Sequence, residues 1–238
     1  MPLIIGLAGT IAAGKSTVGQ ILVQRGAVHC DGDKLIHTLY EPGKPGFDRV
    51  VAAFGPEIVG ADGFVDRKAL GAKVFGKPEE MNKLTTAIGS IGEAIKGVID
   101  GWRRNLPADG IGVMEAVNLM EPGYASWCDQ LWLIAVDDDI ARRRLQETRG
   151  MSLEEANQRL KAMVPVSVRA PGCDWVYHNN TTREALETAV EDELGRVREL
   201  AAAGELPGSV FHQWWAAFIA ERRPLLKKAG VSLADEIP

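Results

Sequence analysis

Residues 2–20 read PLIIGLAGTIAAGKSTVGQ, and the fold turns on this stretch. Leu3, Ile4, Ile5 and Leu7 make a short apolar run suited to a strand buried on both faces. Gly9-Thr10-Ile11-Ala12-Ala13-Gly14-Lys15-Ser16 follows with the spacing G-x-x-x-x-G-K-[ST], and Thr17-Val18-Gly19-Gln20-Ile21-Leu22 continues as a helix. Successive backbone N–H groups can wrap a phosphate chain only where no Cβ blocks the approach. Lys15 adds a point charge at the outer phosphates, and the Ser16 hydroxyl can hold the magnesium ion that bridges them. The helix N-terminus behind the loop contributes its own partial positive charge. A glycine-rich turn could join strand to helix without a ligand, but correct flanks on both sides select nucleotide binding. The stretch therefore predicts an ATP or GTP site formed by Gly9, Ala12, Ala13, Gly14, Lys15, Ser16 and Thr17.

The chain has 238 residues, enough for one α/β domain with insertions or one domain plus a small satellite. Apolar residues make up 46% of it, which supports a sizeable core and excludes disorder as the main state. A net charge of −5 argues against a chain-wide field for nucleic acid, so phosphate binding must come from local clusters. Cys30, Cys128 and Cys173 form no C-x-x-C pair, which points to reduced thiols rather than disulfides or zinc. The first strand begins at once, leaving no signal peptide, and no apolar run approaches ~20 residues. The expectation is a cytoplasmic protein with a small-molecule substrate and neither nucleic-acid nor membrane partners. Oligomeric state is left open.

After the first helix, residues 26–30 read as a second strand ending at Asp31-Gly32-Asp33. Ligands of open parallel sheets sit beyond the carboxyl ends of strands, so both aspartates are expected at the same crevice as the loop. A carboxylate there can take a proton from an attacking hydroxyl or hold a metal-bound water. The same residues can also start the helix over 34–40 as an N-cap. Residues 41–46 are breaker-rich, residues 47–54 read as a helix, and Asp66 is placed to cap a helix running through Phe75. Pro78 opens a longer helix towards Arg104, with Leu84, Ile88, Ile91, Ile95 and Ile99 at helical steps. This strandless middle section reads as a helical excursion forming one wall of an acceptor site.

Residues 110–114 resume the sheet with Glu115 near the carboxyl end. An acid there can support magnesium or a catalytic water, or be a polar group satisfied at a strand end. Residues 130–136 form the clearest later strand, and Asp137-Asp138-Asp139 opens a helix carrying Arg142, Arg143, Arg144 and Arg149. Such arginines can close over phosphates as a lid, yet they cannot all point one way, so the rest form a solvated face. Ser152 heads a second capped helix, residues 174–179 give a final strand, and Thr182 to Ala203 a long helix. Beyond the linker at 204–208, Val210, Phe211, Trp214, Trp215, Phe218 and Ile219 make a helical apolar stripe expected to pack on its own domain.

Taken together, these residues resemble the dephospho-coenzyme A kinase family from the phosphate loop to about Asn180. The resemblance rests on Gly14-Lys15-Ser16-Thr17, Asp31-Gly32-Asp33, Glu41-Pro42-Gly43, Phe54-Gly55 with Ala61-Asp62-Gly63, and Pro78-Glu79-Glu80. It continues through the strand ending near Glu121, the arginine-bearing lid and Asp174 to Asn180. It implies an α/β P-loop NTPase fold: a five-stranded parallel sheet flanked by helices, with a helical acceptor-site insertion at about 60–108 and a lid at about 142–165. The kinase domain would then span 1–203 and a C-terminal helical extension 204–238. The implied reaction moves the ATP γ-phosphate, with Mg2+, onto the ribose 3′-hydroxyl of dephospho-coenzyme A. By the same resemblance Asp33 is the base, Lys15 and Ser16 are the phosphate and metal ligands, Glu115 is the acid of the third strand, and Arg144 is a lid arginine.

The chain also departs from that family. Thr10 and Ala12 stand where loop glycines are usual, Gly89-Ser90 replaces a His-Pro pair, and Val117-Asn118-Leu119 replaces Pro-Leu-Leu. Thr148 stands for a second lid arginine and Met163 for a lid glutamine. ATP-side residues are better kept than acceptor-side ones. Two other readings therefore remain: a related kinase for another small alcohol, nucleoside or nucleotide, and a nucleotide-binding protein without catalysis.

Overall fold

The apolar run that opens the chain becomes β1 (Leu3–Gly9), buried along all seven residues as befits a strand covered on both faces. The structure is a computed structural model describing residues 1–89 and 91–228, with side chains through Arg222. Ser90, half of the Gly89-Ser90 departure, and residues 229–238 of the expected extension lie outside the described residues. α1 (Lys15–Gln24) leads to β2 (Val28–Asp31), followed by α2 (Gly32–Thr38), α3 (Pro45–Phe54), α4 (Arg67–Val74), α5 (Pro78–Ile88) and α6 (Ile91–Asn105). The sheet resumes with β3 (Ile111–Glu115) and β4 (Gln130–Ala135). Then come α7 (Asp138–Arg149), α8 (Leu153–Lys161), the short α9 (Val166–Arg169), β5 (Trp175–His178), α10 (Arg183–Ala203) and α11 (Phe211–Lys228).

The five strands form one parallel sheet in the order β2-β3-β1-β4-β5. Every neighbouring pair is parallel, so each connection must cross over a face, and the three central strands β3, β1 and β4 are buried along their whole length. Register sets Leu7 beside Glu115 on one flank and Trp132 on the other, and Asp31 beside Glu115. Ile5, Leu7, Val113, Trp132 and Ile134 pack with Val18, Ile21 and Leu22 of α1 and with Leu186, Val190, Leu194 and Val197 of α10. The α10 residues recur at helical steps, which sets them on one inner face.

The chain divides into two compact units, the sheet unit of residues 1–31 and 98 onward, and a helical unit, Gly32–Gly97. The helical unit has its own core of Tyr40, Val50, Phe54, Ile58, Val65, Leu70, Val74, Ala87 and Ile88. It begins well before the 60–108 excursion expected from sequence and ends inside α6. α3 belongs to it because it packs on α5, with the Arg49 guanidinium donating to Ala87 O (2.8 Å) and Ile88 O (2.9 Å). The single helix expected from Pro78 to Arg104 is two. Gly89 adopts φ +63°, a left-handed value that side-chain-bearing residues rarely take, and its N–H closes α5 on Thr85 O.

Capping follows the sequence reading. Asp66 Oδ1 accepts from the amides of Lys68 (2.8 Å) and Ala69 (3.1 Å), and Ser152 with Glu155 forms a reciprocal capping box on α8. On α11, Phe211, Phe218 and Ile219 are buried within the sheet unit, the packing expected of the tail stripe. No described helix is long and apolar enough to cross a membrane.

Candidate functional site

The loop between β1 and α1 is curved by two left-handed residues. Ala12 at φ +58° is the one non-glycine with positive φ among the described residues, and Gly14 has φ +95°. A Cβ on Gly14 would also lie 2.7 Å from Asn179 Nδ2, so both conformation and space call for glycine there. Lys15, the first residue of α1, is 9% exposed, and its ammonium donates to the loop carbonyls of Thr10 (3.1 Å) and Gly9 (3.3 Å). A buried positive charge is thus held against the loop's own backbone.

Ser16 Oγ donates to Glu115 Oε1 at 3.0 Å, joining the start of α1 to the end of β3. Glu115 is 5% exposed, and its Oε2 lies 2.9 Å from His29 Nε2 on β2. The imidazole fits because position 19 of α1 is glycine: a Cβ there would sit 2.8 Å from His29 Nε2. His29 was not among the residues expected from sequence. Its signal was a glycine inside a helix, which costs stability unless something packs against the gap.

A hydroxyl and a carboxylate make a hard, all-oxygen donor pair, which suits Mg2+ rather than a softer metal. Among the described residues no group of three or more His, Cys, Asp or Glu side chains could hold a metal unaided. Mg2+ in phosphate sites keeps waters and phosphate oxygens in its shell and takes only one or two protein ligands, so the pair fits. The thiols offer no competing chemistry: burial pushes Cys128 and Cys173 up to about 12, and burial followed by the Asp31 charge raises Cys30.

Arg144 of α7 spans the loop and the end of the sheet. Its Nη1 donates to Ala12 O (3.1 Å) and its Nη2 to Asn179 O (3.0 Å). Asn179, 6% exposed just after β5, donates from Nδ2 to Ala13 O (2.8 Å) and from its amide to Ala135 O (2.8 Å). Two consecutive loop carbonyls are therefore fixed from outside the loop. Asn179 is a second residue without an expected role, although it lay within the Asp174–Asn180 stretch that carried the resemblance. Of the other arginines, Arg142 bonds Asn157 of α8 (2.7 Å) and Asp139, while Arg143 and Arg149 are exposed. One arginine at the loop and the rest elsewhere is the division expected of a single helix.

The sheet unit brings Lys15, Ser16, Glu115 and Arg144 around one loop. Asp31 ends β2 in register with Glu115, and Asp33 stands two residues further along the chain, in the first turn of α2 and so in the helical unit. A carboxylate in a first turn is favoured by the helix dipole. That unit carries its own concavity of about 420 Å³, with His37, Tyr40, Asp62, Phe64, Arg67 and Lys68 in its lining.

Residues 3–184 match the family model described as dephospho-CoA kinase. A dephospho-CoA kinase of Geobacillus kaustophilus is 38% identical over 186 residues, 77% of this chain and 91% of the relative. Its counterpart from Geobacter sulfurreducens is 37% identical over 191 residues, 79% and 95% of the two chains. A crystal structure of a Thermus thermophilus protein superposes with a TM-score of 0.67 at 28% identity, covering 82% of this chain and 98% of its own. A dephospho-CoA kinase of Campylobacter jejuni shares the fold with a TM-score of 0.54 at 16% identity, covering 81% and 96%. With relatives of this similarity aligned almost end to end, and one family model spanning the phosphate loop, all five strands and the helical unit between them, the chain belongs to the dephospho-CoA kinase family.

Proposed function

We propose that this chain transfers the γ-phosphate of ATP to the ribose 3′-hydroxyl of dephospho-coenzyme A, the last step of coenzyme A formation. Family membership over residues 3–184 is the observation that carries the reading. In it, the amides of the loop from Gly9 to Thr17 wrap the phosphates, and Gly14 keeps their approach open. The Lys15 ammonium neutralises the outer phosphates. Ser16 and Glu115 would hold Mg2+, which would offset the negative charge of the phosphates. Arg144 holds Ala12 in place, and its guanidinium, with five N–H groups, retains donors for phosphate oxygen.

Asp33 acts as the base. The acceptor oxygen attacks γ-phosphorus, the bond from phosphorus to the β–γ bridging oxygen breaks, ADP leaves, and the hydroxyl proton passes to the Asp33 carboxylate. A second reading, another small alcohol as acceptor, draws on the replaced residues Gly89-Ser90 and Val117-Asn118-Leu119. A panel of acceptors incubated with γ-labelled ATP and Mg2+ separates them. Dephospho-coenzyme A is expected to take the label well ahead of nucleosides, nucleotides and sugars. Preferred labelling of another alcohol supports the second reading, and no labelled acceptor removes both.

A further inference from the structure

α11 lies beyond residues 3–184, yet it is bonded into the sheet unit at three places. At its start, Ser209 Oγ (2.7 Å) and the Val210 amide (3.0 Å) donate to the Asp174 carboxylate, which also accepts from the Leu131 amide of β4 (2.7 Å). One turn on, Trp214 Nε1 donates to Val168 O in α9 at 2.7 Å. The Trp214 indole lies so close over Gly172 that a Cβ there would be 2.5 Å from the ring. Trp215 Nε1 donates to Glu121 O at 3.4 Å.

Val168 and Glu121 belong to two different segments that a buried ion pair joins. Arg169, 1% exposed, donates from Nε to Glu121 Oε1 at 2.6 Å and reaches Val117 O from Nη2 at 3.5 Å. Arg169 Nη1 and Glu121 Oε2 are buried with no hydrogen-bond partner among the described residues. A buried pair with unmet donors and acceptors does not hold its own geometry at a profit, so the backbones on either side need fixing by other means. The two indoles do this, one on each segment. The segments are functional ground: residues 116–123 leave the carboxyl end of β3, the side on which open parallel sheets bind ligands, and α9 returns the chain from α8 to β5. Residues 117–119 are also where this chain lacks a proline that would stiffen the turn.

We propose that α11 is a positioning element for the transfer reaction: Trp214 and Trp215 clamp α9 and the segment after β3, setting the Arg169–Glu121 pair and the acceptor-side loop in their working geometry. The proposal rests on the acceptor reading above. In the full chain, Trp214→Phe and Trp215→Phe together keep the aromatic packing and remove both N–H donors. The expected result is a KM for dephospho-coenzyme A raised about fivefold or more, with the KM for ATP within about twofold of wild type. Amide exchange over 116–123 and 166–172 is expected to quicken about tenfold, with the phosphate loop unchanged. Wild-type exchange and kinetics in the double variant would make α11 a passive cover, and equal deterioration of both KM values would make its role general stability. Either overturns the proposal. Trp215→Phe alone, losing the longer bond, serves where the double variant does not fold. Should wild-type protein leave dephospho-coenzyme A unphosphorylated, the acceptor reading falls, and the exchange data decide on the clamp by themselves.

Discussion

The two units hold their polar groups in opposite ways. In the sheet unit, the bonds around the phosphate loop join residues far apart in sequence: Ser16 to Glu115 across 99 positions, Arg144 to Ala12 across 132, Asn179 to Ala13 across 166. In the helical unit the bonds are short in range, as with Asp66 on the amides of Lys68 and Ala69 or Thr38 on Leu35 O, and the longest named, Arg49 to Ile88, spans 39. Long-range bonds form only when the whole sheet has formed, so the loop inherits the rigidity of the core. A unit built from short helices around a small core opens more easily, and Phe64 and Phe75 remain about half exposed on it. The sheet unit is thus the more preformed of the two, and the helical unit the more adjustable. Substitutions around the phosphate loop should change rate and affinity, and substitutions in the helical unit away from Asp33 should change local stability.

The largest effect is expected from Lys15→Ala. Loss of a preorganised charge at the transferring phosphate should lower turnover by about 10³-fold or more, while the thermal midpoint shifts by no more than about 4 °C. Unchanged turnover would remove the loop from the active site. Asp33→Asn comes next, since it keeps shape and first-turn position but loses basicity. It should cost at least about 10²-fold in turnover with little change in ATP affinity. Activity within a fewfold of wild type would leave Asp33 a helix-start residue and make Asp31 the next candidate base.

Gly14→Ala adds left-handed strain of about 1–2 kcal/mol and pushes on Asn179, so ATP should bind roughly tenfold more weakly. Titration calorimetry reads this directly, and wild-type affinity would mean the loop is softer than its long-range bonds imply. Asp66→Ala, in the helical unit, should cost about 1 kcal/mol of stability through loss of the α4 cap and leave ATP binding untouched. A weaker ATP affinity in that variant would break the distinction between the units.

The same contrast explains what could be read from sequence. All five strands were legible within a residue or two, because apolar runs bounded by glycine and aspartate mark buried parallel strands. That Lys15, Ser16 and Glu115 meet at one loop was legible from the motif spacing and the strand-end position. His29 and Asn179 were not, since their partners lie 86 and 166 residues away and no local pattern announces such a bond. The break at Gly89 was hidden by periodicity: Leu84, Ile88, Ile91, Ile95 and Ile99 keep helical spacing across it. The membership of α3 in the helical unit was hidden for a related reason, because it shows only in Arg49 reaching the end of α5.

The most direct test of the central claim is where the phosphate lands. Wild-type protein, γ-labelled ATP, Mg2+ and dephospho-coenzyme A should yield a product whose label is released by a 3′-nucleotidase and whose mass has grown by one phosphate. Label on another hydroxyl of the acceptor, or in inorganic phosphate alone, would contradict the account.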